Sequence, residues 1–306
     1  MVPEVMNELW RCLSQSAFLN SQPVQTALIV GACAALVSAI IGVFTVLRGN
    51  AFAGHALADV SSAGGAASFL LGISPLLGFL GMAWIAALGM EWLGVRKARE
   101  RDLATGIVLG AGLGLSALFL YLDVTTTSTT GAAVSVMFGS LFAVSRELIW
   151  PAIGASLAVF VLVALLYRPW ILTAVDPDLA TLRGISPRWM GLLQLLALGL
   201  AVAVCALAIG AVLATALLIG PAGAAIRLSR RVAQALILAV VIGLTSVWAG
   251  IWLAYESYYW FSGHAWPVSF FVVVLVFLFY VFAMLLAART RARTNVTYPT
   301  MREREN

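Results

Sequence analysis

Runs of about twenty apolar residues recur from one end of this chain to the other, and that recurrence decides its environment before any single residue is considered. They fall at residues 23–47, 51–72, 74–95, 102–122, 147–167, 189–209, 211–227, 232–255 and 267–288. A helix rising 1.5 Å per residue needs about 20 residues to cross a hydrocarbon layer of about 30 Å. Inside that layer backbone amides and carbonyls find no water, so a crossing segment must satisfy them itself, as a helix, or close into a barrel. Continuous apolar runs of this length select the helix. The expected fold class is therefore all-α, a polytopic bundle of eight or nine spans set multi-pass in a cell membrane, inner or plasma. Composition agrees, with 62% of the 306 residues hydrophobic and only 10% charged, against about 25% charged in soluble domains. The length fits one transmembrane domain, 23–288. It is flanked by an interfacial or disordered segment, 1–22, and a polar cytoplasmic tail, 289–306.

The net charge of +5 resides in short loops and the tail rather than on a folded soluble face, which argues against a nucleic-acid partner. Arg96, Lys97, Arg99 and Arg101 follow the third run, and Arg168, Arg183 and Arg188 separate the fifth from the sixth. Arg227, Arg230 and Arg231 follow the seventh, and Arg289, Arg291 and Arg293 the last. Nine spans put all four clusters on one side, the cytoplasm by the positive-inside bias, with the N-terminus outside. If 211–227 is re-entrant, eight spans remain and the N-terminus moves inside. The stretch YESYYWFSGHAWP, 255–267, falls on the opposite face, where its Trp and Tyr residues fit an interfacial belt. His264 lies within it, either as an outer metal ligand or as a solvated loop residue. Val5, Leu9 and Leu13 recur at helical spacing and give segment 1–22 the character of an interfacial helix. Cys12, Cys33 and Cys205 form no CxxC pair, which speaks against a disulfide framework or a thiolate metal site.

Of the chain's two histidines, His55 lies within the second apolar run, four residues before Asp59. Positions i and i+4 share one helix face, about 6 Å apart at Cβ. An imidazole and a carboxylate so placed can hold one divalent ion, and both ligand types suit zinc, manganese and ferrous iron. Ionisable groups in a membrane are costly and mark a pathway or site by default. The alternative is a self-neutralising pair that locks helix packing. Two ligands are fewer than zinc's usual four; Gln194, Thr215 and Glu91 are polar groups able to approach. The same run is rich in Gly, Ala and Ser, so it belongs inside the bundle, packed through small residues. The seventh run carries Gly220 and Pro221 at its centre, where loss of a backbone donor predicts a broken helix.

The segment VDPDLATLRGIS, 175–186, predicts a short, isolated cytoplasmic helix. Asp176 caps it, Pro177 suits its first turn, Asp178 follows, and Gly184 stops it. Leu179, Leu182 and Ile185 give it an apolar edge, and Arg183 lies at its end. It serves either as a docking element or as an ordinary capped loop. The chain has no phosphate-binding G-x-x-x-x-G-K-[ST] loop, no HExxH and no serine nucleophile elbow, so it is read as a non-enzyme.

Three stretches resemble the permeases of zinc, manganese and iron ABC importers: GVFTVLRGNAFAGHALADV, 42–60; MFGSLFAVS, 137–145; and GAVLATALLIGPAGAAIRLS, 210–229. They stand in that family's order, and the resemblance covers the chain from about residue 23 to 288. The family's second helix commonly reads G-D-A-L-S-H, whereas residues 54–59 read Gly-His-Ala-Leu-Ala-Asp, with the acid and the imidazole exchanged. The resemblance implies a fold similar to the vitamin B12 permease and a function as an importer permease subunit working by alternating access. His55 and Asp59 would line the ion path. Segment 176–184 would be the coupling helix, docking through Asp176, Pro177, Asp178, Leu179, Arg183 and Gly184 on a separate ATP-binding ABC subunit that hydrolyses ATP. The implied partners are that subunit, a second copy of the permease, an extracytoplasmic metal-binding protein and membrane lipid. No cofactor is permanently bound; the divalent ion is cargo. Two other readings are a permease for a metal chelate such as a siderophore, and an ion-coupled secondary transporter with Asp59 as its proton or sodium site.

Overall fold

The computed structural model of the chain describes residues 17–93, 98–127, 131–139, 141–260 and 266–297. Segment 1–16 and His264 lie outside the described residues. After a single helical turn at Ala17–Asn20, the long helices are α1 (Gln22–Leu47), α2 (Ala51–Leu71), α3 (Pro75–Leu93) and α4 (Ala98–Leu122). A short α5 (Ala132–Phe138) leads to α6 (Ile149–Val175), the short α7 (Pro177–Leu182) and α8 (Pro187–Ile209). The chain then forms α9 (Ala211–Leu228), α10 (Val232–Trp260) and α11 (Val268–Thr297). No strand occurs among the described residues.

Eight of the long helices are long and apolar enough to cross a membrane. The exception is α2, whose 21 residues would reach across but include serines, glycines, a histidine and an aspartate. Its neighbours explain how it survives at that depth. The α2–α3 hairpin is antiparallel and joined backbone to backbone: a Cβ on Gly64 would lie 1.9 Å from the Gly78 carbonyl oxygen, and one on Gly78 would lie 2.2 Å from that of Gly64. Beside this contact the Phe79 ring of α3 lies over Gly65, its Cε1 2.5 Å from the position of an added Cβ. The α2 serines bond back into their own helix, Ser61 to the Ala58 carbonyl and Ser68 to that of Gly65, each at 2.6 Å. Such back-bonding leaves no hydroxyl unsatisfied in an apolar surrounding. Across the seam to α4, the Ser62 and Ser116 hydroxyls hydrogen-bond at 2.9 Å.

The core is built on α1 and α8, each with 72% of its central stretch buried, against 17% for α6 and α11. Lipid-facing residues are large and apolar, among them Trp92, Trp150 and Leu165. A soluble monomer would not tolerate so much contiguous exposed apolar surface. Helix α10 runs antiparallel to α1, with Val247 and Ile251 beside Gly31 and Ala35 beside Gly243. Most of the described basic residues gather at one end, where Arg188 meets Glu91 and Arg227 meets Tyr280, with Arg146 at the other, before α6.

One expectation requires correction. The helix expected to break at Gly220–Pro221 does not: α9 runs uninterrupted from Ala211 to Leu228. Proline removes one amide donor, and neighbours hold both halves together. Pro221 is buried, and Gly220 seats Val276 of α11, whose Cγ1 would lie 2.2 Å from an added Cβ. The actual interruption precedes α9, at Gly210, with φ 86° and ψ 157°. That conformation is open to glycine, and Gly139 packs backbone against backbone on the same point. Helix α11 continues past the last apolar run into the polar tail, as far as Thr297.

If the Gly64–Gly78 contact fixes the hairpin, Gly64→Val should destabilise the detergent-solubilised protein by about 3 kcal/mol, measured as a fall in its thermal unfolding midpoint. Gly114→Ala, where nothing lies within 4 Å of the new Cβ, should leave the midpoint unchanged or raise it.

Candidate functional site

The first three turns of α2 place the polar pair. Asn50 precedes the helix, and Gly54 presses so closely on α9 that an added Cβ would lie 2.9 Å from Leu218 Cδ2 and 3.9 Å from Leu198 Cδ1 of α8. That approach brings the next residue, His55, against Thr215, one turn before Leu218 on α9. His55 Nδ1 and Thr215 Oγ1 lie 3.1 Å apart. On its other side, His55 Nε2 lies 3.4 Å from Asp59 Oδ2. The imidazole is therefore held from both nitrogens, with a hydroxyl fixing its orientation and a carboxylate facing the other nitrogen.

The 3.4 Å separation suits a shared ion. Two donors each about 2.1 Å from a metal stand about 3.4 Å apart at a tetrahedral angle and about 3.0 Å apart at a right angle. A cation entering between Nε2 and Oδ2 needs little rearrangement of either side chain. His55 keeps 45% of its side-chain surface exposed and Asp59 15%, so the pair opens from the surface of the single chain instead of closing inside it. No group of three or more His, Cys, Asp or Glu that could hold a metal occurs among the described residues. The described residues of one copy thus bring together an imidazole, a carboxylate and a hydroxyl, with no further acid, thiol or imidazole beside them.

Of the other polar groups named from the sequence, only Thr215 reaches the pair. Glu91 lies in the last turn of α3 and pairs with Arg188, Arg188 Nε donating to Glu91 Oε1 at 3.0 Å. Gln194 is fully buried on α8 and makes no hydrogen bond with the described residues. Cys33 and Cys205 are buried and unbridged, and Cys205 Sγ lies 3.5 Å from the Ala34 carbonyl oxygen.

Segment 176–184 forms the capped helix its residues predict. Asp176 Oδ1 accepts from the Leu179 amide at 2.9 Å, and Pro177 occupies the first turn. At the other end Gly184 has φ 75°. The Ile185 amide bonds the Ala180 carbonyl and the Gly184 amide that of Thr181, which is a Schellman stop. Ala180 is buried, whereas Leu182 is 84% exposed and Leu179 37%, so apolar side chains point away from the bundle. The sequence reading missed Arg48: it leaves the α1–α2 turn to hydrogen-bond Thr173 in the last turn of α6. A lone arginine placed directly after an apolar span was the available signal.

Against known proteins, the model of the ABC 3 transport family matches residues 20–287. The chain is 30% identical over 239 residues to the manganese transport system membrane protein MntC of Halalkalibacterium halodurans, covering 77% of this chain and 80% of that one. It is 28% identical over 231 residues to the high-affinity zinc uptake system membrane protein ZnuB of Haemophilus influenzae, covering 74% and 86%. Among solved structures, PsaBC from Streptococcus pneumoniae in complex with Fab contains a chain of the same fold, with a TM-score of 0.74 and 22% identity, covering 92% of this chain and 95% of that one.

If Thr215 orients the imidazole, Thr215→Val should weaken binding of a divalent ion by about 10-fold or more, whereas Thr215→Ser should retain it. Titration of the purified protein with manganese and with zinc measures both.

Proposed function

This chain belongs to the ABC 3 transport family, and on that premise we propose that it is the membrane-spanning permease subunit of an ATP-driven importer of divalent manganese or zinc. The observation that carries the reading is the His55–Asp59 pair, with facing donor atoms 3.4 Å apart on a helix otherwise too polar for lipid. An imidazole and a carboxylate without thiolates suit either metal, and the relatives named for manganese and for zinc support the same pair of cargoes. A site of two protein ligands binds weakly enough to release, as transport requires.

The chain contains no phosphate-binding loop, so ATP hydrolysis falls to a separate subunit. The partly exposed, doubly capped α7 is its docking element, with Leu179 and Leu182 entering an apolar groove and Asp178 on the rim. The open side of His55 faces a second copy of the permease, whose own α2 completes the ion path along the symmetry axis. An extracytoplasmic binding protein delivers the ion at the end opposite the basic clusters.

Uptake in a strain lacking its own transporter, measured separately for manganese, zinc and iron, tests the assignment. His55→Ala and Asp59→Ala should each abolish uptake of the cargo metal while the complex still assembles; normal uptake in both variants would sink the site. Asp178→Lys should reduce co-purification of the ATPase severalfold, and an unchanged complex would remove α7 from the docking surface.

A further inference from the structure

The docking element stands on two roots, the last turn of α6 and the first turn of α8, and each root holds a different end of the hairpin that carries the ion pair. Thr173 lies three residues before Asp176. Its hydroxyl is anchored on the carbonyls of Pro169 and Trp170 and accepts a hydrogen bond from Arg48, seven residues ahead of His55. Arg188 begins α8 and donates to Glu91 at the end of α3. Gly191, one turn further along α8, lies beside the Arg48 guanidinium, where an added Cβ would be 3.8 Å from Nη1. From these contacts we propose that Arg48 and the Glu91–Arg188 ion pair are positioning residues: two ties that convert movement of α7 into rotation of the α2–α3 hairpin and so of the ion site. This inference rests on the reading of α7 as the ATPase-docking element.

Three observations support the conversion. The hairpin is rigid, because Gly64 and Gly78 bring the two backbones into direct contact, so α2 and α3 move together. It is tied at its basic end twice, through Glu91 in the last turn of α3 and through Arg48 in the turn that leads into α2. A displacement of α6 against α8 is therefore a couple acting on the hairpin, whereas a displacement of both roots in common is only a translation. Finally, the partner of His55 across the site lies away from both roots: its helix joins α8 only at the Gly210 turn, at the end of α8 opposite the docking element. Thr215 belongs to α9, whose basic end is fastened to α11, Arg227 donating to the Tyr280 hydroxyl at 2.9 Å. Rotation of the hairpin moves His55 relative to Thr215. The orienting hydrogen bond is made in one position of the coupling element and lost in the other, which changes affinity for the ion at the moment of release.

The two ties differ in strength. In the ion pair Arg188 is 77% exposed and Glu91 24%, so water and salt weaken it. Thr173 is buried, and its bond to a guanidinium is charge-assisted in a drier place.

The experiment reconstitutes the full permease–ATPase complex in proteoliposomes and measures metal ions moved per ATP hydrolysed. Glu91→Arg should lower that ratio about two- to fivefold, with assembly and basal ATP hydrolysis kept, and adding Arg188→Glu should restore it. Arg48→Ala should lower the ratio roughly tenfold; Thr173→Val should match it, and the double variant should be no worse than either alone. An unchanged ratio in Glu91→Arg and in Arg48→Ala, or failure of the exchanged charges to restore coupling, overturns the ties while leaving the transport reading in place. A wild-type complex that hydrolyses ATP and moves no metal overturns the transport reading itself, and the ties with it.

Discussion

The rest of this structure depends on keeping α2 out of lipid. That helix carries His55, Asp59 and three serines through a layer that cannot solvate them. Glycine contacts against α3 bring a second backbone within van der Waals reach, the serines bond to carbonyls one turn back, and α4, α8 and α9 close around the remaining faces. Lipid cannot drive such packing by the hydrophobic effect, because the tails are as apolar as the side chains they would replace. Close approach and satisfied polar groups provide the association instead. The face of α2 left open is the one that carries the two ionisable side chains.

The same constraint gives the site its chemistry. A polar pair on a helix packed among apolar spans, with one side open, marks a pathway or site by default. The imidazole is pinned between a hydroxyl from another helix and a carboxylate from its own. The proposed site is thus shared between two packed elements, the α2–α3 hairpin and α9. The exchange of acid and imidazole relative to the family's common G-D-A-L-S-H pattern leaves that logic intact, because both residues still lie on one face of the same helix, one turn apart.

Much of this was legible in the chain. The apolar runs became helices that start near the expected positions, although α6, α10 and α11 run five to nine residues past the expected ends; α2 was singled out by its small residues, and the Asp176–Gly184 segment formed the short capped helix that its aspartate, proline and glycine specify. These successes share a cause, since helix length, capping and lipid compatibility are local properties. The misreading at Gly220–Pro221 has the complementary cause. Proline's cost to a helix is local, but whether the helix ends or continues depends on what braces it, and Val276 lies 56 positions further along the chain. The real interruption at Gly210 was inconspicuous because glycines are common in such spans and only backbone contact with Gly139 marks this one.

Sequence by itself determined that the chain crosses a membrane many times as helices, that one helix must be shielded from lipid, and that an imidazole and a carboxylate share that helix's face. Each follows from periodicity and from the energetics of burying polar groups. Only the tertiary structure decided which third group meets them. Thr215, Gln194 and Glu91 were all unassigned candidates, and the packing of Gly54 against Leu218 selected Thr215 while the end of α3 drew Glu91 to Arg188. Contacts between residues separated by 97 to 160 positions are set by how helices fit against one another, and no local rule of composition or spacing encodes that fit.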